Sequence, residues 1–137
     1  MPEIQERESV AGIAIREGKV FVARRRPGGA LGGKWEFPGG KARSGESHAD
    51  TLRREYLEEL SVPVEVAEKI AEARFVHGNT RFCLSALRIT PQSDDFSLNE
   101  HSEYRWVTLE ELEKLDFADS DRLIFPSVKK LLDRQES

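Results

Sequence analysis

The sequence has too few cysteines and too short apolar runs for several classes of protein. Cys83 is the single cysteine among 137 residues, so an internal disulfide cannot form. It stands in the apolar run FCLSAL, which predicts a buried core residue rather than a nucleophile. The start of the chain, MPEIQERESV, is polar where a signal peptide needs an apolar stretch, and no later segment reaches the length of a membrane span. We therefore expect a soluble cytoplasmic protein that does not bind membranes.

The chain also lacks an excess of positive charge. The chain carries 21 lysines and arginines against 25 aspartates and glutamates, a net charge of −4. A general nucleic-acid binder normally displays a basic face and a high isoelectric point, so this balance argues against general nucleic-acid binding while allowing a single nucleotide as ligand. With 38% hydrophobic residues, a chain of this length encloses one core, and we expect one domain over residues 1–137.

The apolar periodicity predicts a mixed α/β domain. The β-branched runs SVAGIAI and KVFVARR, joined by REGK, predict an N-terminal hairpin. Residues 26–47 hold seven of the ten glycines, which predicts a long structured loop interrupted by a short extended WEF piece. Three later segments, VPVEVAEKIAEARF, TRFCLSALRIT and YRWVT, have the alternation of strands. Strands mixed with helices favour a mixed β-sheet sandwiched between α-helices.

The segment that begins at Ser47 has the periodicity of an amphipathic helix. Apolar side chains recur there at steps of three and four residues, as one buried stripe requires. The stripe consists of Ala49, Leu52, Tyr56 and Leu60. Ser47 and Asp50 have the spacing of a capping pair at the start of this helix.

Two further helices are expected near the C-terminus. The segment TLEELEKL has Thr108 as its cap and Glu111 at the capping-box position. The segment SDRLIFPSVKKLLD also has a helical pattern, and Pro126 either kinks that helix or marks its first turn. The tail RQES is expected to fray.

The first helix carries more acid than it can neutralise. Glu55, Glu58 and Glu59 fall within about 100° of one another around a helix, with no lysine at helical spacing. Like charges at these spacings repel by roughly 0.2 to 0.5 kcal/mol per pair, so a fold that concentrates them usually recruits a cation. Carboxylates favour hard ions such as Mg²⁺ or Mn²⁺, which share their coordination with phosphate oxygens. The preceding Gly39 and Gly40 let the backbone approach an ion or a phosphate closely.

This stretch resembles the signature of the Nudix hydrolases. The signature runs glycine, five free positions, glutamate, seven free positions, Arg-Glu, an apolar residue, one free position, Glu-Glu, one free position, glycine and an apolar residue. The matching residues are Gly40, Glu46, Arg54, Glu55, Tyr56, Glu58, Glu59 and Val62. Six fixed matches arise by chance on the order of once in ten million placements. The segments WEFPGGK and FVARR and the spacing of Glu100 and Trp106 are similar to the MutT-like branch, so nearly the whole chain is covered.

Ser61 stands where the signature has glycine. A glycine at this position would form a left-handed cap at the end of the helix, and serine costs about 1 kcal/mol in that conformation. The departure therefore concerns the termination of the helix rather than metal binding.

The resemblance implies a set of metal-binding and catalytic residues. The metal ligands that it implies are Glu55, Glu58, Glu59, Glu100 and the Gly40 carbonyl. The expected ion is Mg²⁺, with Mn²⁺ as a substitute, and Arg54 and Glu46 are expected to brace the loop against the helix. Water is the nucleophile, and either Glu55 or Glu100 takes its proton.

A second group of positions matches substrate-binding residues of the family. The group consists of Arg25, Phe37, Lys41, Phe75, His77, Asp119 and Asp121. Each position has a structural alternative: a surface charge for the basic residues, a core position for the aromatic residues and Trp35, and a helix cap for the aspartates. Asp121 aligns with a position at the base edge, where oxidised-guanine enzymes have asparagine. An ionised aspartate there can only accept hydrogen bonds, whereas asparagine also donates.

The resemblance implies a Nudix fold and a Mg²⁺-dependent pyrophosphohydrolase. Normal or modified nucleoside triphosphates, 8-oxo-dGTP among them, would be cleaved to the monophosphate and pyrophosphate. One alternative is a hydrolase acting on RNA 5′ ends or on another nucleoside diphosphate derivative, although RNA would require a basic channel that this acidic chain offers little of. The other alternative is a non-catalytic base-recognition module, like the MutT-like domain of an adenine glycosylase. The intact Arg-Glu and Glu-Glu pairs oppose it.

Overall fold

The computed structural model of the chain describes residues 5–135, which form eight strands and four helices. The strands are β1 (Gln5–Ile13), β2 (Ile15–Arg16), β3 (Lys19–Arg25), β4 (Trp35–Glu36), β5 (Gly39–Lys41), β6 (Val64–His77), β7 (Thr80–Pro91) and β8 (His101–Val107). The helices are α1 (His48–Leu60), α2 (Leu109–Lys114), α3 (Asp119–Arg122) and α4 (Phe125–Gln135). The start MPEI and the last two residues of the tail RQES lie outside the described residues. Within residues 5–135, no helix is long and apolar enough to cross a membrane.

The strands form two four-stranded sheets rather than one. The first sheet has the order β5-β1-β7-β6 and is mixed, because β1 runs parallel to β7 and antiparallel to β5. Its other edge is the antiparallel β6–β7 hairpin. In the second sheet β3 pairs antiparallel with β2, β4 and β8. The expected mixed sheet is therefore present, with a second, antiparallel sheet beside it.

The predicted N-terminal hairpin is only partly correct, because the chain changes sheets at Ala14. Strand β1 pairs with β5 and β7, and only Ile15 and Arg16 pair with the start of β3. The N–H of Phe21 donates to the Ala14 carbonyl at 3.0 Å, which holds the crossing point. The last residues of β1 are buried on both faces, and such a strand is stable in the middle of a sheet rather than in an isolated hairpin.

Two apolar cores lie on opposite faces of the strands. Along β1, Val10 belongs to the core that contains Leu52 of α1. Its neighbours Ala11 and Ile13 belong to the core that contains Leu132 of α4. The alternation follows from the two-residue period of a strand. The strands are therefore sandwiched between α1 on one side and α4 on the other, which confirms the predicted α/β architecture.

Helix α1 begins and ends as its sequence predicts. Ser47 Oγ accepts a hydrogen bond from the Asp50 N–H at 3.1 Å and caps the first turn. At the other end Ser61 is left-handed, with φ of 56° and ψ of 33°. The N–H of Ser61 donates to the Leu57 carbonyl at 3.1 Å. The serine therefore adopts the conformation that glycine would adopt at this position.

The predicted C-terminal helices are found with one correction. Thr108 and Glu111 form the expected capping box at the start of α2. The segment predicted as a single final helix is two helices, since α3 ends at Arg122 and α4 begins at Phe125. Pro126 lies in the first turn of α4, where its missing N–H costs no helical hydrogen bond.

The segment Gly39–Lys41, predicted as loop, forms strand β5 against β1. A Cβ atom on Gly39 would lie 1.9 Å from the Val10 carbonyl oxygen, so only glycine lets the two strands approach this closely. The short extended piece at WEF is present as β4. Strand β5 pairs with β1 and also contacts α1, the helix that carries the Arg-Glu and Glu-Glu pairs of the signature.

Candidate active site

Arg54 connects α1 to the loop that precedes it. Its guanidinium donates to both carboxylate oxygens of Glu46, at 2.7 and 2.9 Å, and to the Lys41 carbonyl at 3.1 Å. The same guanidinium contacts Glu55 at 2.5 Å and Glu58 at 3.4 Å. Two parallel bonds to one carboxylate fix the direction of an arginine side chain. Arg54 and Glu46 therefore connect the loop to the helix, as a bracing role would require.

Glu46 is held in its ionised form by its neighbours. The pKa of Glu46 is lowered to about 2, mainly because of the bonds from Arg54 and also because the Arg43 N–H donates to the carboxylate at 3.0 Å. The Thr51 hydroxyl adds a fourth donor at 2.8 Å. The Glu46 carboxylate, near the end of the loop before α1, is therefore stabilised in its charged form by four hydrogen bonds.

Glu59 lacks such compensation. Its side chain is buried, and Oε2 has no hydrogen-bond partner among residues 5–135. The pKa of Glu59 is raised well above its ordinary range, first by burial, then by the neighbouring Glu55 carboxyl and the charge of Glu36. A buried carboxyl is costly unless it is protonated or meets a positive charge. Glu59 is therefore suited to a bound cation.

Glu55, Glu58 and Glu59 form what is called here the acidic face of α1. Gly40 lies directly against it. A Cβ atom added to Gly40 would lie 2.5 Å from the carboxyl carbon of Glu55. Only a residue without a side chain lets this strand and that carboxylate approach each other so closely. The backbone predicted to supply a metal ligand is therefore adjacent to a carboxylate predicted to be one.

The other two predicted carboxylates are more accessible. The side chain of Glu58 is about half exposed and lies within 3.9 Å of the Arg43 guanidinium. Glu100 is exposed, and its charge is among those that raise the pKa of Glu59. The chemistry of this donor set, carboxylates with one buried unpartnered oxygen, fits a hard divalent cation.

Glu36 and His101, which the sequence analysis did not single out, join this face. His101 is buried, and its Nε2 lies 2.9 Å from Glu36 Oε2 and 3.6 Å from Glu59 Oε1. One ligand atom from each of the three residues lies within 4.8 Å of the others, so these three side chains could also hold a cation. The available signal for Glu36 was an acid between two core aromatic residues, and for His101 its position directly after Glu100.

A cleft of about 270 Å³ opens beside Gly40. Its walls come from β1, β3, β4, β5, β6, β7 and α3, and Gly40 is shared by the cleft and the acidic face. The predicted residues that line it are Arg25, Phe37, Gly40, Phe75 and Asp121, together with Glu36, Phe82 and Cys83. The volume is close to the lower end for small-ligand sites and suits a flat heterocycle.

The aromatic wall of the cleft is a stacked pair. The rings of Phe75 and Phe82 lie 4.9 Å apart with 7° between their planes, and both residues are half-buried. Phe75 is therefore a wall residue rather than a core residue, and Phe82 is a neighbour that the sequence analysis missed. Cys83 is also half-buried and lines the cleft, so the prediction of a core position for this residue was wrong.

Phe37 contributes its backbone rather than an exposed ring. The Phe37 ring is buried and packs at 4.8 Å from Phe117 and 5.9 Å from Phe125. Trp35 is buried in the same core. The Phe37 N–H donates to Asp121 Oδ2 at 2.9 Å, which fastens β4 to α3. For these two aromatic residues the core alternative is correct.

Asp121 is buried in the floor of the cleft. Burial raises the pKa of Asp121 to about 7, against the opposing effect of the Phe37 N–H, and the charge of Glu36 adds to the increase. Ala118 is the N-cap of α3, and neither aspartate provides a side-chain cap. The helix-cap alternative for Asp119 and Asp121 was therefore wrong. Asp121 makes a tertiary contact instead.

Three predicted substrate residues lie apart from the cleft. Lys41, His77 and Asp119 are exposed and are not among the residues that line it. Lys41 ends β5, and its carbonyl is bound by Arg54. His77 ends β6 at the hairpin turn. Arg25 does line the cleft, where its guanidinium contacts Glu36 at 3.1 Å.

Known proteins are similar to this chain in sequence and in fold. Residues 6–128 match the NUDIX domain. The chain is 34% identical over 116 residues to the putative 8-oxo-dGTP diphosphatase 2 of Mycobacterium tuberculosis, which covers 82% of this chain and 81% of that protein. It is 32% identical over 114 residues to the CTP pyrophosphohydrolase of Escherichia coli, covering 83% of this chain and 84% of that protein.

Solved structures agree with the sequence relatives. The solution structure of the E. coli ORF135 protein has a TM-score of 0.81 and 28% identity, covering 93% of this chain and 91% of that chain. The crystal structure of the MutT protein from Methanosarcina mazei Go1 has a TM-score of 0.80 and 26% identity, covering 100% of this chain and 99% of that chain. With the signature, the fold and these relatives in agreement, the chain belongs to the Nudix hydrolase family and resembles its MutT-like members.

Proposed function

We propose that this Nudix hydrolase is a Mg²⁺-dependent pyrophosphohydrolase that cleaves nucleoside triphosphates to the monophosphate and pyrophosphate. The observation that carries the proposal is the position of Gly40. This residue lines the cleft and also abuts Glu55 on the acidic face. One ligand can therefore place a base in the cleft and its phosphates beside the carboxylates.

The ion is proposed to be held by carboxylates of α1 and by oxygen donors beside them. These donors are Glu55, Glu58, Glu59, Glu100 and the Gly40 carbonyl. An all-oxygen set favours Mg²⁺, with Mn²⁺ as a substitute, whereas a set that includes the His101 imidazole would favour softer metals. When bound, the cation polarises the phosphoryl oxygens and lowers the pKa of a bound water.

The chain's own residues orient the reaction and receive the proton. Water attacks an internal phosphorus, the bond to the departing phosphate oxygen breaks, and the proton of the water passes to a carboxylate. Glu55 and Glu100 are the two candidates for this base. Arg54 fixes the orientation of Glu55. Glu100 is the last residue of the loop before β8 and directly follows Asn99.

The base is proposed to lie between the Phe75–Phe82 wall and Asp121. An ionised Asp121 accepts from an exocyclic amino group, as on cytosine or adenine, while a protonated one donates to a carbonyl such as O6 of guanine. With a pKa of about 7, Asp121 provides both forms near neutral pH. The relatives named for 8-oxo-dGTP and for CTP span the same two possibilities. We propose that triphosphates with an amino group at the base edge are cleaved best.

The alternatives have less support. Next to the cleft is a groove of about 590 Å³ that would suit an RNA strand if it were basic. It is lined by Arg7, Arg74 and Arg81 but also by Glu6, Glu8 and Glu72. This balance of charge disfavours phosphate binding along it, and with it a role at RNA 5′ ends. The Arg54–Glu46 pair and the acidic face disfavour a non-catalytic module. A nucleotide substrate is consistent with one catalytic domain over residues 1–137 and a cytoplasmic location.

A hydrolysis screen tests the proposal. Purified protein with Mg²⁺ is incubated with normal, 8-oxo, 2-hydroxy and 5-substituted nucleoside triphosphates and with 5′-triphosphorylated RNA, and the products are separated by ion exchange. We expect the monophosphate and pyrophosphate from free nucleotides. Glu59→Gln protein purified in parallel controls for contaminating phosphatases. Release of the diphosphate and orthophosphate, or hydrolysis of RNA alone, would refute the proposal.

A further inference from the structure

A distant loop caps the C-terminal end of α1. The last carbonyls of a helix lack partners within the helix. Here Asn99 Nδ2 donates to the Glu58 carbonyl at 3.0 Å, and the Asn99 N–H donates to the Glu59 carbonyl at 3.0 Å. The Ser97 N–H donates to the Leu60 carbonyl at 2.9 Å. Residues 97–99 therefore satisfy three consecutive carbonyls at the end of α1.

Ser61 adds a bond that glycine cannot make. Asn99 Nδ2 also donates to Ser61 Oγ, at 2.9 Å. An asparagine amide has two N–H hydrogens, so the bonds to the Glu58 carbonyl and to Ser61 use both of them. The residue that departs from the signature therefore provides the second acceptor for Asn99. In return its left-handed backbone carries the strain that a glycine would avoid.

The same loop carries a predicted metal ligand. Glu100 directly follows Asn99, and the two carbonyls that Asn99 binds belong to Glu58 and Glu59. Glu58, Glu59 and Glu100 are therefore connected through backbone carbonyls and Asn99 rather than through contacts between their carboxylates. Such a tie sets the relative positions of the ligands before an ion arrives.

The loop has other attachments that do not involve Ser61. The Phe96 ring packs at 4.7 Å from Phe21, and the Arg26 guanidinium donates to the Leu98 carbonyl at 3.1 Å. These contacts hold the loop on the core that contains Leu52 even when the bond to Ser61 is lost. Removal of the hydroxyl should therefore change the local orientation of the loop and leave the fold intact.

We propose that Ser61 and Asn99 are positioning residues that hold Glu100 beside Glu58 and Glu59. The inference rests on the proposed function, because it takes Glu100 as a ligand of the divalent cation. It explains why a serine is used at a left-handed position. The Ser61 hydroxyl helps to position the metal ligands, whereas its left-handed backbone lowers the stability of the fold.

Two substitutions at Ser61 separate these effects. Ser61→Gly and Ser61→Ala both remove the hydroxyl, but only glycine relieves the left-handed strain. We expect both variants to need about three- to tenfold more Mn²⁺ for half-saturation, measured by electron paramagnetic resonance of free Mn²⁺ without nucleotide. The melting temperature of Ser61→Gly should equal or exceed that of the wild type, and that of Ser61→Ala should equal it or fall below it.

Further variants calibrate the measurement. Glu100→Gln gives the full effect of losing the ligand, and Asn99→Ala should approach it. The double variant Ser61→Gly/Asn99→Ala should bind Mn²⁺ no more weakly than Asn99→Ala, because the two changes remove the same bond. Ser93→Ala is the matched control, because Ser93 Oγ accepts from the Asp95 N–H at 3.0 Å within the same loop. This control should leave Mn²⁺ binding unchanged.

The outcomes distinguish this inference from the proposed function. If Glu59→Gln and Glu100→Gln weaken Mn²⁺ binding while the Ser61 and Asn99 variants do not, the positioning role is refuted and the metal site stands. If Ser61→Gly raises the melting temperature and leaves Mn²⁺ affinity unchanged, Ser61 only terminates α1. If Glu59→Gln leaves Mn²⁺ binding unchanged, the proposed metal site fails and the inference fails with it.

Discussion

His101 Nε2 lies 2.9 Å from Glu36 Oε2, and this bond joins the wall of the cleft to the acidic face of α1. On one side Glu36 contacts Arg25 at 3.1 Å, and on the other His101 lies 3.6 Å from Glu59. A carboxylate accepts hydrogen bonds and an imidazole N–H donates them, so this pair forms a hydrogen bond in the tautomer that has a proton on Nε2. The residues proposed to contact the substrate and those proposed to bind the metal are therefore connected through Glu36 and His101.

Replacement of His101 by phenylalanine should destabilise the protein. The ring volume is largely kept, but the half-buried Glu36 loses one of its two side-chain partners, with Arg25 remaining, and Glu59 loses the imidazole nitrogen that lies 3.6 Å away. We expect the free energy of unfolding to fall by about 1 to 3 kcal/mol. Urea titration measures it. The matched control is His77→Phe at the exposed end of β6, which should stay within about 0.5 kcal/mol of the wild type. Equal stabilities for both variants would mean that the Glu36–His101 bond contributes nothing.

Glu58→Gln and Glu59→Gln should each lower turnover by at least about a hundredfold, because lost metal positioning removes several kcal/mol of transition-state stabilisation. Steady-state hydrolysis of the best substrate measures the loss. Glu59→Gln should also keep or raise the melting temperature without metal, since the neutral amide has nearly the same shape and cannot ionise in a buried place where burial and neighbouring carboxyls oppose ionisation. Near-normal turnover in both variants would show that the signature is not used for catalysis.

Mg²⁺ together with a non-hydrolysable nucleotide should stabilise the fold. Ligand at about a hundred times its dissociation constant adds about 2.7 kcal/mol, which corresponds to an increase in melting temperature on the order of 10 °C for a domain of this size. Differential scanning calorimetry measures the change. Glu59→Gln should lose most of the increase. An unchanged melting temperature at millimolar metal would contradict the assignment of the acidic face.

Asp121→Asn should shift the choice of base. An amide donates as well as accepts at every pH, so the ratio of kcat/KM for 8-oxo-dGTP over dCTP should rise by about five- to a hundredfold. Asp119→Asn is the control, because Asp119 is exposed and lies two residues away. The ratio is measured at neutral pH for wild type and both variants. If all three ratios agree, Asp121 only fastens α3 to Phe37.

Glu46 should make the fold sensitive to acid. Its pKa is about 2 in the folded chain against an ordinary value of 4.5, so its contribution to stability is present above pH 4.5 and is lost as the pH falls toward 2. In urea titrations between pH 2 and 6, wild type should lose more stability than Glu46→Gln over this window. Glu68→Gln, at an exposed position on β6, should follow the wild type. Parallel curves for all three proteins would show that the Arg54–Glu46 pair does not stabilise the fold.

Elements with local signals could be predicted from the sequence. The cap at Ser47, the left-handed Ser61 and the capping box at Thr108 each depend on residues within one or two turns. The crossing at Ala14 and the strand at Gly39 could not be predicted in this way. Both depend on which strand lies beside β1, and β7 lies about seventy residues further along the chain.

The site shows the same division. The carboxylates of α1 are recognisable because they share one helix. The Glu36–His101 bond spans 65 positions, and Phe82 reaches the cleft only through its pairing with Phe75 across the β6–β7 hairpin. The resemblance indicated positions near a substrate but did not indicate which strand ends are exposed. Lys41 and His77, which the resemblance implies as substrate-binding residues, are exposed and do not line the cleft, so their role stays a prediction.

The cleft and the acidic face are built by different parts of the chain. This separation affects how the substrate preference of such a protein can change in evolution. Phe75, Phe82 and Asp121 come from the β6–β7 hairpin and α3, whereas the carboxylates come from α1 and the loop before β8. After a gene duplication, one copy can acquire a new base preference by substitutions in the hairpin and α3 alone. The segment from Gly40 to Ser61 can then be inherited without change. Among residues 5–135, Glu36 and Gly40 are the two that belong to both regions, so a change of substrate through these positions would be constrained by the chemistry.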